Sequence, residues 1–290
     1  MLDRAAELKA ARLSSRALEG KSVALVFEHP STRTRVSFEV GVTELGGHPV
    51  VLRGGELQLS RGESVRDTAL VLSRLVQAIC VRTTPHGVLE ELAAYADVPV
   101  VNMLTADHHP CQALADLLTL RERFGDLEGL KLAYVGDGNN VARSLMVLGA
   151  KAGLEVAVAT PAELAPHGWD QSGARTEGPG QVTVTTDPAA AVAGAAALYT
   201  DVWVSMGDDA AASQARRALL APYRLDEALM EQARDDAIAL HCLPAHPGEE
   251  ITEGVLYGAS SAVFDQAENR LHAQKALLEL LLGDPEAGPG

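Results

Sequence analysis

The chain has 290 residues, 47% of them hydrophobic, which is enough for two domains of ordinary size with apolar cores. Its formal net charge of −15 argues against a nucleic-acid partner, and without a long uncharged apolar run no membrane partner is expected either. No basic and apolar leader opens the sequence, and Cys80, Cys111 and Cys242 are too few and too scattered for a disulfide framework, so a reduced, cytoplasmic protein is expected.

Strands and helices alternate through the first part of the chain. Short apolar runs predict strands at residues 22–27, 49–52, 77–82 and 98–104. Helical patterns predict helices at residues 2–18, 31–46, 64–75, 88–95 and 112–124. Alternation of this kind predicts a parallel sheet with helices packed on its faces. Ligands of such sheets gather at the carboxyl ends of the strands.

The first strand-to-helix turn contains Ser31, Thr32, Arg33, Thr34 and Arg35. Ser31 is a good N-cap, and a helix N-terminus presents free backbone N–H groups to a ligand. Arginines in the first turn oppose the helix macrodipole unless an anion lies with them. Hydroxyls and a forked guanidinium at the same turn form a cradle for an oxyanion. The P-loop spacing is missing, so we predict a site for a small phosphate compound rather than for a nucleoside triphosphate.

A second group of polar side chains follows the strands predicted at residues 77–82 and 98–104. His109 and Gln112 can both donate a hydrogen bond to a carbonyl oxygen, and Arg82 can reach the same oxygen together with a hydroxyl of the cradle. Such donors form an oxyanion hole for acyl transfer, because negative charge develops on that oxygen as the carbonyl carbon becomes tetrahedral. Cys111, between them, is interpreted as a small core residue.

The alternating pattern restarts after Gly125. Predicted strands at residues 131–135, 154–159, 182–185, 196–203, 237–243 and 262–264 indicate a second domain. A final helix at residues 266–283 is then free to pack back on the first domain. We therefore expect an α/β protein with two doubly wound parallel-sheet domains linked by helices, at residues 1–122 and 123–265.

The turn at residues 136–141 of the second domain superficially resembles a dinucleotide-binding fingerprint. Val141 takes the place of the third glycine, and no acidic residue follows the next strand to hold a ribose, so a nicotinamide-dependent dehydrogenase is disfavoured. Asp201 lies at the end of a later predicted strand, where its carboxylate can pair with an ammonium group. A His and a Cys lie close together at His109 and Cys111 and again at His241 and Cys242. Neither pair has the spacing of a zinc site, so no metal is expected.

Six motifs of the chain together resemble the aspartate/ornithine carbamoyltransferase family. In chain order they are STRTR at residues 31–35, HPCQ at 109–112, GDGNN at 136–140, DVWVSMG at 201–207, HCLP at 241–244 and ENR at 268–270. They lie in both predicted domains and follow the order of the family. The aspartate branch has Arg and Gln in place of DxxxSMG, and HPLP in place of HCLP, so the resemblance favours the ornithine branch.

The resemblance implies a reaction and a domain assignment. The carbamoyl group of carbamoyl phosphate is transferred to the δ-amine of L-ornithine, which gives L-citrulline and phosphate in arginine biosynthesis or catabolism, without a metal or organic cofactor. Residues 1–122 would bind carbamoyl phosphate and residues 123–265 would bind ornithine. The C-terminal helix at residues 266–283 would pack back on the first domain.

The resemblance also implies roles for individual residues. The implied ligands of carbamoyl phosphate are Ser31, Thr32, Arg33, Thr34, Gln58, Arg82, His109, Pro110, Cys111, Gln112, Cys242, Leu243 and Arg270. The implied ligands of ornithine are Asn140, Asp201, Ser205 and Met206. The implied catalytic residues are Arg82, His109, Gln112, Asp201 and Cys242. Gln58 would reach carbamoyl phosphate bound mainly by a neighbouring subunit, so a homotrimer or a multiple of trimers is expected.

Other functions remain as alternatives. Within the family, the acceptor could be another amine, such as putrescine or an N-acylornithine. Outside it, the chain could be a non-catalytic anion-binding module, which the combination of His109, Asp201 and Cys242 disfavours. The polar, Ala-rich segment at residues 208–217 is interpreted as a mobile lid that closes over the substrates and excludes water.

Overall fold

The structure is a computed structural model that describes residues 1–58, 62–167, 178–204 and 210–283. The chain divides into two compact units: unit 1 contains Met1–Leu118 and the chain from Glu268 onward, and unit 2 contains Thr119–Ala267. Within the described residues, no helix has both the length and the apolar character needed to cross a bilayer.

Unit 1 is built on a parallel sheet of four strands in the order β2-β1-β3-β4. Its strands are β1 (Ser22–Phe27), β2 (His48–Arg53), β3 (Ala78–Arg82) and β4 (Val100–Leu104). Its helices are α1 (Leu2–Ala10), α2 (Thr32–Glu44), α3 (Val65–Leu72), α4 (His86–Tyr95) and the first part of α5 (Pro110–Phe124). Every strand is followed by a helix, as the alternating pattern predicts.

The central strand β1 is apolar because both of its faces are covered. Leu25 and Phe27 point to one side and pack in a cluster with Phe38 of α2, whereas Ala24 and Val26 belong to a second cluster on the other side. Side chains alternate between the faces of a strand, and a parallel strand covered on both faces therefore has an unbroken apolar sequence.

Unit 2 is built on a parallel sheet of five strands in the order β7-β6-β5-β8-β9. Its strands are β5 (Lys131–Val135), β6 (Glu155–Ala159), β7 (Gln181–Thr185), β8 (Ala197–Thr200) and β9 (Ile238–His241). Its helices are α6 (Asn140–Lys151), α7 (Pro188–Val192), α8 (Ala210–Leu220), α9 (Glu227–Met230), α10 (Glu253–Leu256) and the start of α11 (Val263–Leu282). These two parallel sheets confirm the predicted fold class.

Each sheet has one position at which the strand order reverses. In unit 1 it lies between β1 and β3, where Phe27 is paired with Arg82. In unit 2 it lies between β5 and β8, where Tyr134 is paired with Tyr199. The crevice at the carboxyl ends of two such strands is the usual ligand site of an open α/β sheet. The fold thus gives each unit its own candidate site.

The C-terminal helix α11 packs on unit 1 from Glu268 onward, as predicted. Leu278 belongs to the same apolar cluster as Phe38. Glu279 accepts a 2.6 Å hydrogen bond from Nε of Arg4 in α1. Lys275 is fully buried, and its Nζ lies 2.9 Å from the Glu44 carboxylate of α2. The helix is therefore fixed to unit 1 by both apolar packing and ion pairs.

Two predicted elements are wrong at the residue level. The N-terminal helix ends at Ala10 rather than at residue 18. Residues 262–264 do not form a strand, because α11 begins at Val263 and only an isolated bridge between Ala239 and Ser261 remains. Three apolar residues fit the first turn of a buried helix as well as they fit a strand, and pattern alone cannot separate the two.

Candidate active site

The cradle of unit 1 lies at the N-terminus of α2. Ser31 is the N-cap residue, as predicted, but its side chain makes no capping hydrogen bond. The first turn contains no acidic residue. Arg35 is paired within the helix, since its Nε donates to Glu39 at 2.8 Å, whereas Arg33 is half-buried at the same turn. With Arg35 paired to Glu39, Arg33 is the cation that favours a bound anion at the positive end of the helix macrodipole.

Arg270 of α11 ties the cradle to α5. Its guanidinium is 3% exposed and donates to Thr34 Oγ1 at 2.5 Å and also to Gln112 Oε1. Gln112 in turn donates from Nε2 to Asp116 Oδ1 at 2.8 Å. Thr34, Gln112 and Arg270 were predicted site residues, and the structure brings all three together. The role of Asp116 in orienting the Gln112 amide was not predicted from the sequence.

His109 lies in the positive field of this cluster. Burial lowers the pKa of His109 well below its ordinary value, and the charges of Arg270, Arg82 and Arg33 lower it further. The imidazole is therefore neutral near pH 7 and can act as a hydrogen-bond donor without carrying a charge. The charges of three arginines act on this one neutral imidazole, so this part of unit 1 is electropositive, which suits a phosphate anion.

Three other predicted site residues of unit 1 are Pro110, Cys111 and Gln58. Pro110 begins α5. Cys111 is buried and donates to the Asn102 carbonyl at 3.3 Å, and burial raises the pKa of its thiol to about 12. A neutral, buried thiol of this kind is a core residue rather than a nucleophile. Gln58 is exposed, next to residues 59–61, which lie outside the described part of the chain.

The candidate site of unit 2 centres on Asp201, which follows β8 and is 6% exposed. Its Oδ1 accepts a hydrogen bond from Cys242 Sγ at 2.9 Å, and its Oδ2 accepts one from Asn139 Nδ2 at 2.7 Å. Each carboxylate oxygen therefore has a donor that fixes its direction. A carboxylate held in this way is ready to receive an ammonium group.

Asn139 lies in the GDGNN motif, but the sequence assigned it no role. It is the N-cap of α6, and its Oδ1 accepts hydrogen bonds from the backbone N–H groups of Val141 at 2.9 Å and Ala142 at 3.2 Å. Tyr134 donates to the same oxygen at 3.2 Å. With Oδ1 occupied, the amide can only direct Nδ2 toward Asp201. An Asn at an N-cap is an ordinary feature, so its second contact gave no signal in the sequence.

Tyr134 is buried below this network. Burial raises the pKa of its phenol, and the charges of Asp201 and Asp137 and the neighbouring Cys242 raise it further. The phenol therefore remains protonated and acts as a donor to Asn139.

The remaining predicted ornithine ligands are only partly described. Asn140 is the first residue of α6 and is half-buried. Ser205 and Met206 lie outside the described residues, as do residues 208 and 209 of the predicted lid. The rest of that segment belongs to α8, where Arg216 pairs with Asp137 and Arg217 with Glu249 at 2.8 Å.

Three side chains that could ligate a metal meet at this site. Among the described residues, Asp201, His241 and Cys242 have ligand atoms within 4.8 Å of one another. His241 uses both ring nitrogens already, because Nδ1 accepts from the Leu243 backbone N–H at 2.9 Å and Nε2 lies 3.2 Å from Glu250. As arranged, His241 has no lone pair directed at a metal, and the cluster is a hydrogen-bonded network.

Two family models match the chain. The one described as the carbamoyl-P binding domain of aspartate/ornithine carbamoyltransferase matches residues 1–122, and the one described as its Asp/Orn binding domain matches residues 128–281. The matches follow the chain in the same order as the two sheets.

Relatives and solved structures agree with these matches. The ornithine carbamoyltransferase of Acidothermus cellulolyticus is 58% identical over 294 residues, which covers 100% of this chain and 94% of the relative. The solved ornithine carbamoyltransferase of Pyrococcus furiosus is 48% identical with a TM-score of 0.91, covering 97% of this chain and 91% of the other. That of Thermus thermophilus is 46% identical with a TM-score of 0.88, covering 97% and 93%.

Proposed function

The chain belongs to the aspartate/ornithine carbamoyltransferase family, and we propose that it binds carbamoyl phosphate through unit 1 and L-ornithine through unit 2. It transfers the carbamoyl group of carbamoyl phosphate to the δ-amine of L-ornithine, and the products are L-citrulline and phosphate. The observation that carries the choice of acceptor is the Asp201 carboxylate, held by Cys242 and Asn139 at the reversal point of the unit 2 sheet.

Carbamoyl phosphate is assigned to residues 1–122 and the C-terminal helix at 266–283. The phosphate is bound by the backbone N–H groups at the start of α2, by the hydroxyls there and by Arg33. Arg82, His109, Gln112 and Thr34 donate to the carbonyl oxygen, and Arg270 reaches both ends of the molecule. Support for this assignment comes from the direct contacts of Arg270 with Thr34 and Gln112, and from the neutral state of His109 in a field of three arginines.

Ornithine is assigned to residues 123–265, with Asn140, Asp201, Ser205 and Met206 as its ligands. Asp201 orients the substrate through an ammonium group, while Asn140 at the N-terminus of α6 receives its carboxylate. An aspartate acceptor would bring a second carboxylate next to Asp201, at a cost in repulsion. The acid at this position therefore supports a cationic amino acid as the acceptor.

The chemical step is an acyl transfer. The neutral δ-amine attacks the carbonyl carbon, a C–N bond forms, and the electron pair of the breaking C–O bond leaves with the phosphate. The hydrogen-bond donors of unit 1 stabilise the oxyanion, and the arginines stabilise the departing phosphate. The amine loses a proton in the process. The departing phosphate, which leaves with the electron pair of the C–O bond, accepts that proton, while Cys242 positions the amine and the backbone of Cys242 and Leu243 holds the carbamoyl group.

The assembly and the setting of the reaction belong to the same proposal. The chain forms a homotrimer, or a multiple of trimers, in which Gln58 completes the site of a neighbouring chain. The exposed position of Gln58 supports this role, because the side chain is accessible to another subunit. The enzyme acts in the cytoplasm, in arginine biosynthesis or arginine catabolism.

Purified protein tests the function directly. Carbamoyl phosphate is supplied with L-ornithine, putrescine, N-acetylornithine or L-aspartate in parallel, and the carbamoylated products are measured. We expect citrulline to be the dominant product by orders of magnitude in kcat/KM. Comparable turnover of putrescine or N-acetylornithine would move the acceptor assignment away from ornithine, and no product with any amine would contradict the enzyme assignment.

A further inference from the structure

Glu250 is a buried acid that the proposed reaction does not use. Its side chain is 0% exposed, although the pair Glu249-Glu250 has the sequence of a solvated surface turn. Burying a carboxylate is costly unless hydrogen bonds replace its water. Glu250 must therefore be kept in the interior by what it binds.

The partners of Glu250 are concentrated on one of its oxygens. Oε1 lies 3.2 Å from His241 Nε2 and also accepts the backbone N–H of His246. Within the described part of the chain, Oε2 is buried and makes no hydrogen bond, and the His246 ring nitrogen Nδ1 is 3.7 Å from it. The acid is thus directed at His241.

The two contacts of His241 define its proton. Nδ1 accepts the Leu243 backbone N–H at 2.9 Å, so Nδ1 carries a lone pair, and the single proton of the neutral ring is on Nε2, which donates to Glu250. The His241 backbone N–H donates to Gln266 Oε1 at 2.9 Å, which fixes the residue at the end of β9. In the other tautomer the Nδ1 proton would face the Leu243 N–H, and the lone pair of Nε2 would face the Glu250 oxygen. Both ring contacts would then be lost.

Leu243 has a backbone conformation that requires such support. Its φ is +59°, in the left-handed region that a branched side chain rarely adopts. Unfavourable backbone angles persist where the surroundings over-determine them, and they cluster at functional sites. The Leu243 side chain packs against the unit 2 core, and the hydrogen bond from the Leu243 N–H to His241 Nδ1 acts on the backbone at this residue.

We propose that Glu250 and His241 form a positioning pair that fixes the Cys242-Leu243 turn in its productive conformation. Glu250 sets the tautomer of His241, and His241 holds the N–H of Leu243. The backbone of Leu243 and the thiol of Cys242 are thereby directed into the site. The inference rests on the proposed function, because the turn matters for catalysis only if it binds the carbamoyl group.

Two substitutions at one position separate the two ring contacts. In His241→Asn, the amide oxygen replaces Nδ1 and can still accept from Leu243, whereas in His241→Gln the longer side chain replaces Nε2 and can reach only Glu250. We expect kcat of the Gln variant to fall by about 10²-fold, in the range for a misplaced reacting group, and the Asn variant to retain at least about tenfold more activity than the Gln variant. Equal losses in the two variants would overturn the proposal.

Substitutions at Glu250 test the tautomer. Glu250→Gln keeps an oxygen that accepts the Nε2 proton, so its kcat should stay within a small factor of the parent, whereas Glu250→Leu removes the acceptor and should resemble His241→Gln. His246→Asn is the matched control, because the hydrogen bond from His246 to Glu250 comes from its backbone N–H and its ring is 3.7 Å from Oε2, and it should leave kcat unchanged. Full activity of Glu250→Leu would overturn the proposal.

Alkylation of Cys242 gives a readout that is independent of the reaction. Cys80 and Cys111 are buried, so slow labelling by iodoacetamide reports on Cys242, whose thiol donates to Asp201 at 2.9 Å. Labelling should be several-fold faster in His241→Gln and Glu250→Leu, and unchanged in His241→Asn and Glu250→Gln. Unchanged labelling in all four would overturn the inference. If the parent enzyme makes no citrulline, the proposed function fails, while the labelling pattern still decides whether the pair fixes the turn.

Discussion

At the scale of single residues, Asn139 shows how one side chain can join a structural and a chemical role. Its oxygen caps α6 and its nitrogen orients Asp201. Because the cap and the phenol of Tyr134 occupy the oxygen, the amide cannot flip without losing three hydrogen bonds. The direction of the Asp201 carboxylate thus depends on a helix terminus.

Replacing Asn139 separates these roles. Asn139→Ser keeps a capping oxygen but loses the donor to Asp201, and Asn139→Ala loses both. We expect kcat/KM for ornithine to fall by about 10²-fold in both variants because Asp201 loses its orientation. Only the Ala variant should lose about 1 kcal/mol of unfolding free energy, because a cap is lost. Steady-state kinetics and urea unfolding measure the two effects, and a fully active Ser variant would refute the orienting role.

His109 links the site to the pH dependence of stability. Its pKa is lowered in the folded chain by burial, then by Arg270, Arg82 and Arg33. In the unfolded chain an imidazole titrates near pH 6.5, so below about pH 6.5 the unfolded state binds a proton that the folded state does not. The contribution of His109 to the free energy of unfolding is therefore fully present above about pH 6.5, and it is lost as the pH falls toward the pKa of His109 in the folded chain.

His109→Gln should remove this contribution. Between about pH 6.5 and pH 5, the parent should lose up to about 1.4 kcal/mol of unfolding free energy per pH unit more than the variant. Urea unfolding of both proteins at several pH values measures the difference. Parallel stability curves for the two proteins would mean that His109 is not held neutral in the folded state.

At the scale of elements, unbroken apolar runs such as β1 were predictable because a parallel strand is covered on both faces. Short runs were not predictable, because residues 262–264 begin a helix instead of forming a strand.

The same limit applies to the residues of the site. Asp201 was visible because it ends a strand, but the contact of Arg270 with Thr34 joins residues 236 positions apart, and only the family resemblance suggested it. Glu250 gave no signal, since an acidic pair is typical of a surface.

The first turn of α2 offers a test with an internal control. Arg33 and Arg35 are both near the helix N-terminus, but Arg35 is already paired with Glu39 at 2.8 Å. Saturating carbamoyl phosphate should stabilise the parent by about 2.7 kcal/mol at a hundredfold excess over Kd. Arg33→Gln should lose this gain without loss of stability in the free protein, because it removes a cation from the positive end of the helix.

Urea unfolding with and without carbamoyl phosphate measures that difference. Arg35→Gln is the matched control and should keep most of the ligand-induced stabilisation. The cradle would be wrongly assigned if Arg33→Gln retained the full gain, or if both variants lost it equally.

At the scale of the whole molecule, each unit has its own reversal point, and the two units carry different functional groups. Each sheet reverses its strand order once, and the strands that flank this position end near the cradle and Arg82 in unit 1 and near Asn139 and Asp201 in unit 2. One unit collects arginines, and the other collects a carboxylate and a thiol. An acidic chain with a net charge of −15 thus concentrates positive charge where an anion is needed.

The proposed trimer predicts that two inactive chains can repair each other. Arg33→Gln removes the residue proposed to bind the phosphate in a chain's own site, and Gln58→Ala removes the residue proposed to enter the site of a neighbour. Equal amounts of the two variants are mixed and allowed to exchange subunits. A fully native site then forms at an interface where a Gln58→Ala chain supplies Arg33 and a neighbouring Arg33→Gln chain supplies Gln58. Random assortment gives this at about one quarter of the interfaces of a cyclic assembly.

Citrulline formation should therefore recover to about a quarter of the parent value in the mixture. Each variant taken alone through the same exchange procedure is the control and should stay inactive. Subunit exchange is verified by a mass tag on one of the chains. If tagged and untagged chains mix but activity does not return, Gln58 serves its own chain. Every subunit of the mixture carries one of the two substitutions, so a site built from a single chain would always be defective.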